Sequence, residues 1–236
     1  MTSVSLWAVG MTTAPRKLPT LEQSIHSLAD AGWNEPRLFV EPETEIPGAA
    51  QSLPISLRDE TLGAFPNWYL ALTELVLRQP LAEAYFLCQD DVLFASGLRG
   101  YLEQRLWPAR KVGVVSIYCP SHYANEKSEG FHLENHGWDN WGALAYIFPN
   151  SSARKFLSDL LVLNHRGFGP AEGMRNIDSV VGLWCQRSEL NYFVHTPSLA
   201  QHIGDTSTIW MRGSNRGRRR AREFCEKIDV TGVAQY

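Results

Sequence analysis

The chain has 236 residues, 44% of them hydrophobic and 20% charged, with a formal net charge of −3. That is enough apolar chain for one large α/β domain, and it excludes an intrinsically disordered protein. A charge this close to balance also excludes the global positive field that draws proteins onto nucleic acid.

From the N-terminus, "VSLWAVG" (4–10) reads as a first buried strand, since it lacks the charged and long apolar regions of a signal peptide. "TTAPRKLPT" is a turn-rich loop. Thr20 and Gln23 have the spacing of a capping box for a helix over 21–31, which Gly32 ends. "PRLFVEP" (36–42) is a second strand, and the Pro-rich run 42–54 is a loop. A helix opens at Asn67 and continues to about Gln79, with Trp68, Leu72, Leu75 and Val76 on one face. A strand follows over 84–89, a helix over 96–106 and a strand over 111–118. The remainder reads as a strand at 142–149, helices at 151–162 and 177–188, and a last strand in "LNYFVHTPS".

Strands alternating with helices predict an α/β fold, a single domain over 1–211 with a mostly parallel central sheet and helices on both faces. Residues 212–236 form an Arg-rich tail carrying Arg212, Arg216, Arg218, Arg219, Arg220 and Arg222. Such a segment is expected to be solvated, and its charge suits peripheral contact with an anionic membrane surface. No segment reaches transmembrane length. Cys88, Cys119, Cys185 and Cys225 are widely spaced without metal-ligand pairing, which fits a reducing, cytoplasmic setting.

In open α/β sheets, ligands bind beyond the carboxyl ends of the strands. Residues 11–16, Glu41 and the pair Asp90-Asp91 all fall at such ends. In "YFLCQDDVLF" (85–94) a buried strand delivers two adjacent carboxylates and then turns apolar again. Two ionised carboxylates repel each other and need a positive partner. One reading is a cap on the following helix, through Asp91 or Ser96. The other is a divalent cation, Mg²⁺ or Mn²⁺, which takes oxygen ligands from one or two carboxylates and from substrate phosphates.

The stretch "FLCQDDVLF" resembles the D-x-D-like metal motif of GT-A-fold glycosyltransferases, with Gln89 in place of the first acid and Asp91 at the metal-directed position. "TTAPRKLPTLEQSIHSLADAGW" is similar to the family's nucleotide-binding first loop and helix, and "GAFPNWYLAL" to the segment whose Asn approaches the nucleotide. "WGALAYIFP" and "IDSVVGLW" resemble a sugar-transferase strand and the E-D-x-x-x-G element, with Ile177 in the place of its Glu. "TPSLAQHIGDTSTI" looks like a segment of N-acetylglucosaminyltransferases that branch N-glycans, and of related bacterial enzymes.

The resemblance implies a soluble, metal-dependent transferase that moves a sugar from a nucleotide-sugar donor, a UDP-sugar by preference, to a carbohydrate or glycoconjugate acceptor hydroxyl. It implies Asp178 as the base of an inverting reaction, with Asp139 and Glu172 as alternatives. It places Thr13, Arg16, Glu41, Asn67 and Asp90 against the nucleotide, and the metal on Asp91 and His202. "WDNW", comprising Trp138, Asp139, Asn140 and Trp141, offers aromatic faces and hydrogen-bonding groups for an acceptor sugar. His122, His132 and His136 fit no standard zinc spacing and read as an acceptor-side loop. Two other classes remain open: a non-catalytic carbohydrate- or nucleotide-binding module, and a metal-dependent phosphoesterase or nucleotidyltransferase using the same carboxylates.

Overall fold

The structure is a computed structural model describing residues 3–123, 128–165, 176–204, 219–228 and 234–235. Its centre is an eight-stranded sheet in the order β3-β2-β1-β4-β8-β6-β9-β7. The strands are β1 (Trp7–Thr13), β2 (Arg37–Val40), β3 (Ile55–Leu57), β4 (Ala84–Gln89), β6 (Val112–Ser116), β7 (Gly130–Leu133), β8 (Ala145–Pro149) and β9 (Asn191–Thr196). β1 to β4 pair in parallel, β8 is inserted antiparallel between β4 and β6, and β6 and β9 run parallel. β7 closes the far edge antiparallel to β9. The expected mostly parallel α/β sheet is what forms.

The apolar periodicity of the strands sends their residues into two layers. From β4, Phe86 and Cys88 pack with Leu21, Leu28, Trp33 and Leu98 of one core. Tyr85 and Leu87 face the other, filled by Trp68, Leu72, Phe156 and Trp184. The first layer is covered by α1 (Leu21–Asp30) and α3 (Leu98–Arg105), the second by α2 (Ala64–Arg78), α4 (Asn150–Ser158) and α6 (Ile177–Arg187). Trp68 lies edge-on to Phe156 at 5.8 Å and 89°, a geometry that suits the aromatic quadrupole.

Several local expectations are corrected. β1 begins and ends three residues later than expected, because its pairing with β2 continues to Thr13 opposite Val40. Thr13 therefore closes the strand, not a loop. Thr20 is the N-cap of α1, but its side chain makes no cap hydrogen bond, so the capping box does not form. The expected helix over 151–162 is two, because the Asp159 carboxylate accepts the Leu161 N–H at 2.8 Å and starts α5 (Leu160–Leu163) anew.

The Arg-rich segment is also not the separate tail expected. Arg212, Arg216 and Arg218 lie outside the described residues. Residues 219–228, however, belong to the domain: Ala221, Cys225 and Ile228 are buried in the core beside α1 and α3. Cys225 donates its N–H to the Ser198 carbonyl, and Ser96 exchanges backbone hydrogen bonds with Glu226 and Ile228. β11 (Lys227–Ile228) then pairs with β12 (Ala234–Gln235). All four cysteines are buried and none is bridged. Among the described residues no helix is long and apolar enough to cross a membrane.

Candidate functional site

β4 ends at Gln89, and the chain turns through Asp90 and Asp91 before β5 (Val92–Phe94). β5 pairs antiparallel with β10 (Ala200–His202), which sets His202 opposite Val92. α1 pins this turn from below. Ser24 donates its hydroxyl to the Asp90 carbonyl at 2.8 Å and accepts the Val92 N–H at 3.1 Å. Ser27, one helical turn on, accepts the Phe94 N–H at 2.7 Å. The two serines are a feature sequence reasoning missed. Their only signal is polar residues three apart on a helix face that is otherwise apolar.

The turn brings two buried carboxylates onto one guanidinium. Arg16 reaches Asp90 Oδ1 through Nε at 2.9 Å and Nη2 at 2.5 Å, and Asp91 Oδ2 through Nη1 at 2.9 Å. Thr13 donates its hydroxyl to Asp90 Oδ2 at 2.5 Å. On the other side, His202 Nε2 donates to Asp91 Oδ2 at 3.1 Å. Burial works against the Arg16 charge, but the two carboxylates outweigh it and hold its pKa above the ordinary value. Burial pushes Asp90 up, and with the Asp91 charge it outweighs the pull of Arg16. Burial also acts on Asp91, yet Arg16 and His202 together hold it below the usual carboxylate range.

One cation for two carboxylates leaves the pocket short of positive charge. Asp91 Oδ1 is buried with no hydrogen-bond partner. Gly204 keeps the space beside it clear, since a Cβ there would fall 2.6 Å from Asp91 Oδ2 and 3.0 Å from His202 Nε2. An orphaned carboxylate oxygen next to an imidazole is a donor set that fits a hard divalent cation. Among the described residues, no group of three or more His, Cys, Asp or Glu side chains could hold such an ion alone. The cation would therefore complete its shell with water or phosphate oxygens. The helix-cap reading of the Asp pair fails: α3 starts after Gly97, in the left-handed conformation, with no side-chain cap.

The second half of the rim lies across β8. Gln89 ties the chain there, its N–H donating to the Leu144 carbonyl at 2.9 Å and its side-chain amide to the Ala143 carbonyl at 3.1 Å. Next along is Gly142, whose N–H supports the Asp178 carboxylate from the first turn of α6. Asp178 is not the N-cap, a position taken by Asn176. Burial pushes its pKa up to about 6, against the pull of the Ser179 and Gly142 N–H groups and the Arg219 charge. Tyr118 stands between the two halves and feels the Asp91 charge, and its hydroxyl donates to the Arg219 carbonyl. Gln201, beside His202, clasps Ala221 through both amide atoms. Tyr118 and Gln201 were not singled out from sequence, and Arg219 was read only as part of the Arg-rich tail, because only the fold brings 219–221 back to this rim.

Other sequence-derived candidates are spent on structure. Both Glu41 carboxylate oxygens accept backbone N–H groups, from Leu62 at 2.8 Å and Gly63 at 3.1 Å, which tethers the entrance to α2. Asn67 sits inside the first turn of α2, donating to the Phe39 carbonyl and accepting from Arg58 Nε at 2.8 Å. These contacts engage one hydrogen-bonding position on each of the polar atoms of Glu41 and Asn67. In "WDNW", Asn140 is 1% exposed and its amide bridges the His136 N–H and the Glu134 carbonyl. Gly182 of α6 is needed there, since a Cβ would come 2.6 Å from Asn140 Oδ1. Trp138 is half-buried, Asp139 exposed, and Trp141 48% exposed, its indole edge-on to His122. His136 instead stacks on Tyr123 and pairs with Glu134. Glu172 lies outside the described residues.

No family model and no curated protein matches the chain. Solved structures do match. GalNAc-T7 with UDP, GalNAc and Mn²⁺ aligns with 91% of this chain at TM-score 0.59 and 7% identity, and this chain spans 46% of that one, less than half its length. A Bacillus anthracis protein described as a glucose-1-phosphate thymidylyltransferase, solved with sucrose, aligns with 83% of this chain and 89% of its own at TM-score 0.50 and 11% identity. At such identities the likeness is one of fold, and that fold is GT-A-like. The finer resemblance to N-glycan-branching enzymes has no counterpart in these two structures.

Proposed function

We propose that the protein is a metal-dependent glycosyltransferase that takes a nucleotide-sugar donor, a UDP-sugar by preference, and inverts it onto an acceptor hydroxyl. The observation that carries this reading is the buried, unpartnered Asp91 Oδ1 beside His202, on the same rim as an Asp178 pushed up to about 6. Asp91 and His202 would hold the cation, and Thr13, Arg16 and Asp90 would face the donor. When bound, the cation supplies charge neutralisation for the departing diphosphate.

The chain's own groups account for the rest. Arg16 offers a guanidinium fork suited to phosphate oxygens. Asp178 is largely ionised at neutral pH yet basic enough to accept a proton. As the acceptor oxygen bonds to the anomeric carbon, its proton passes to the Asp178 carboxylate, and the bond from that carbon to the diphosphate oxygen breaks. Trp141 and Asp139, the exposed members of their loop, would meet the acceptor sugar. Four buried, unbridged thiols fit a cytoplasmic setting.

The test is release of nucleoside diphosphate from a panel of nucleotide sugars, with and without Mn²⁺. A metal-stimulated release from one or a few donors is expected. Pyrophosphate formation from a nucleoside triphosphate and a sugar 1-phosphate, with no turnover of any nucleotide sugar, would instead make the protein a nucleotidyltransferase.

A further inference from the structure

The site holds a cation of its own. Arg16 binds Asp90 through two N–H groups and forms an ion pair with Asp91 through Nη1, with its side chain only 10% exposed. The oxygen it takes on Asp91, Oδ2, is also the one to which His202 Nε2 donates. A divalent ion joining Asp91 and His202 would need the His202 Nε2 lone pair, which the observed hydrogen bond occupies with a proton. It would also sit beside a guanidinium already on the same carboxylate, and like charges at such range in a buried pocket repel strongly.

We infer that Arg16 is an internal counter-cation that bars free metal from this site and yields only to metal arriving with a diphosphate. This rests on the glycosyltransferase reading above and adds to it a rule of admission. The anion is what releases the arginine. A diphosphate offers Arg16 two or more oxygens in exchange for its hold on Asp91, while the incoming ion takes over the neutralisation of that carboxylate. Nucleotide without metal leaves the phosphates facing Asp90 and Asp91 with one guanidinium to share. Metal without nucleotide meets Arg16 still in place. The two ligands therefore bind with positive coupling, and Arg16 is the residue that couples them.

Direct Mn²⁺ titration, by calorimetry or by the electron paramagnetic signal of free Mn²⁺, tests this without any turnover. In the wild-type protein Mn²⁺ alone should bind weakly, and UDP should tighten it, whereas uridine should not. In Arg16→Gln, Mn²⁺ alone should bind roughly ten-fold or more tightly than in wild type, with most of the UDP dependence gone. Arg16→Lys, which keeps the charge, should stay close to wild type. Removing the arginine strands two buried carboxylates, so Arg16→Gln is also expected to melt lower and to recover with Mn²⁺ alone, a shift that wild type lacks.

Equal affinity for free Mn²⁺ in wild type and Arg16→Gln, with UDP raising both alike, would overturn the gate and leave the metal site standing. No Mn²⁺ binding to either protein, with or without UDP, would remove the metal site and the gate together. Asp91→Asn separates these cases, since it should abolish Mn²⁺ binding in the Arg16→Gln background if the site is the one described.

Discussion

Two aspartates on one strand-end rim have been driven in opposite directions. Asp91 is buried between Arg16 and His202, and against that burial the Arg16 charge and the His202 hydrogen bond hold it below the usual carboxylate range. Asp178 sits in the first turn of α6, where burial outweighs the backbone N–H groups of Ser179, Asp178 itself and Gly142 and the Arg219 charge, and its pKa rises to about 6. Environment, not residue type, separates them, and on that separation the carboxylate held low is proposed as the ligand and the one held near neutrality as the proton acceptor. Both carboxylates have partners, and what differs is their charge: a guanidinium sits directly on Asp91, whereas Asp178 is met by backbone N–H groups. A ligand carboxylate needs charge compensation before its ion arrives, whereas a base must leave its oxygens reachable by an acceptor hydroxyl.

The comparison breaks most sharply at Asp178. Asp178→Asn preserves size and much of the hydrogen bonding while removing the base. Turnover is expected to fall by roughly 10² to 10⁴, with donor affinity nearly unchanged. NMR of the product should show inverted anomeric configuration in the wild-type reaction. Near-normal turnover, or a retained configuration, would strip Asp178 of its role.

Asp91→Ala comes next. Metal-dependent affinity for a nucleoside diphosphate should fall at least ten-fold in calorimetry, since a ligand to the ion is lost. Undiminished metal-dependent binding would mean that the Asp91 environment serves folding alone.

The pH behaviour sharpens the contrast without touching the ligand side. Turnover should fall on the acid side with an apparent pKa near 6, the value to which burial raises Asp178. Stability runs with the opposite consequence. A carboxyl whose folded pKa exceeds its unfolded value of 3.8 favours the fold fully below that value, and the contribution is lost as pH rises through about 6. Asp178→Asn should therefore be more stable than wild type at pH 8, by on the order of 2 kcal/mol, and no more stable at pH 4. Melting curves at the two pH values decide it. Equal shifts at both would mean that ionisation of Asp178 costs the fold nothing.

Much of this rim was legible in the chain because strands announce themselves by period and their ends by polarity. The run 85–94 could be read as a strand delivering carboxylates, and His202 and Asp178 could be set near it through their motifs. What pairs with what could not be read. Asp91 meets His202 because β5 and β10 form a short ribbon across a separation of 111 residues, and nothing local encodes that pairing. Glu41 and Asn67 illustrate the converse. Polar residues at strand and helix ends look alike whether they face a ligand or the chain's own N–H groups, and only the loop 58–63 folding back distinguishes the two. The arginine-rich segment misled for a related reason: its charges are conspicuous, while the sparse Ala221, Cys225 and Ile228 that anchor it are not.

Glu41 gives the smallest of these effects and tests the line between scaffold and ligand contact on the donor side. Its carboxylate accepts from Leu62 and Gly63 just ahead of α2, so it holds the loop that turns into that helix. In Glu41→Gln one of the two acceptor oxygens becomes a donor and faces an N–H, so one bond is lost while the other survives uncharged. The expected cost is about 1 kcal/mol of stability, read as a lowered midpoint in urea with unchanged slope. Nucleotide affinity should move by less than a factor of about three, because the carboxylate that is altered was already committed to the backbone. A loss of nucleotide affinity of about ten-fold at unchanged stability would reverse the assignment, returning Glu41 to the donor pocket and moving the scaffold boundary outward to Asn67.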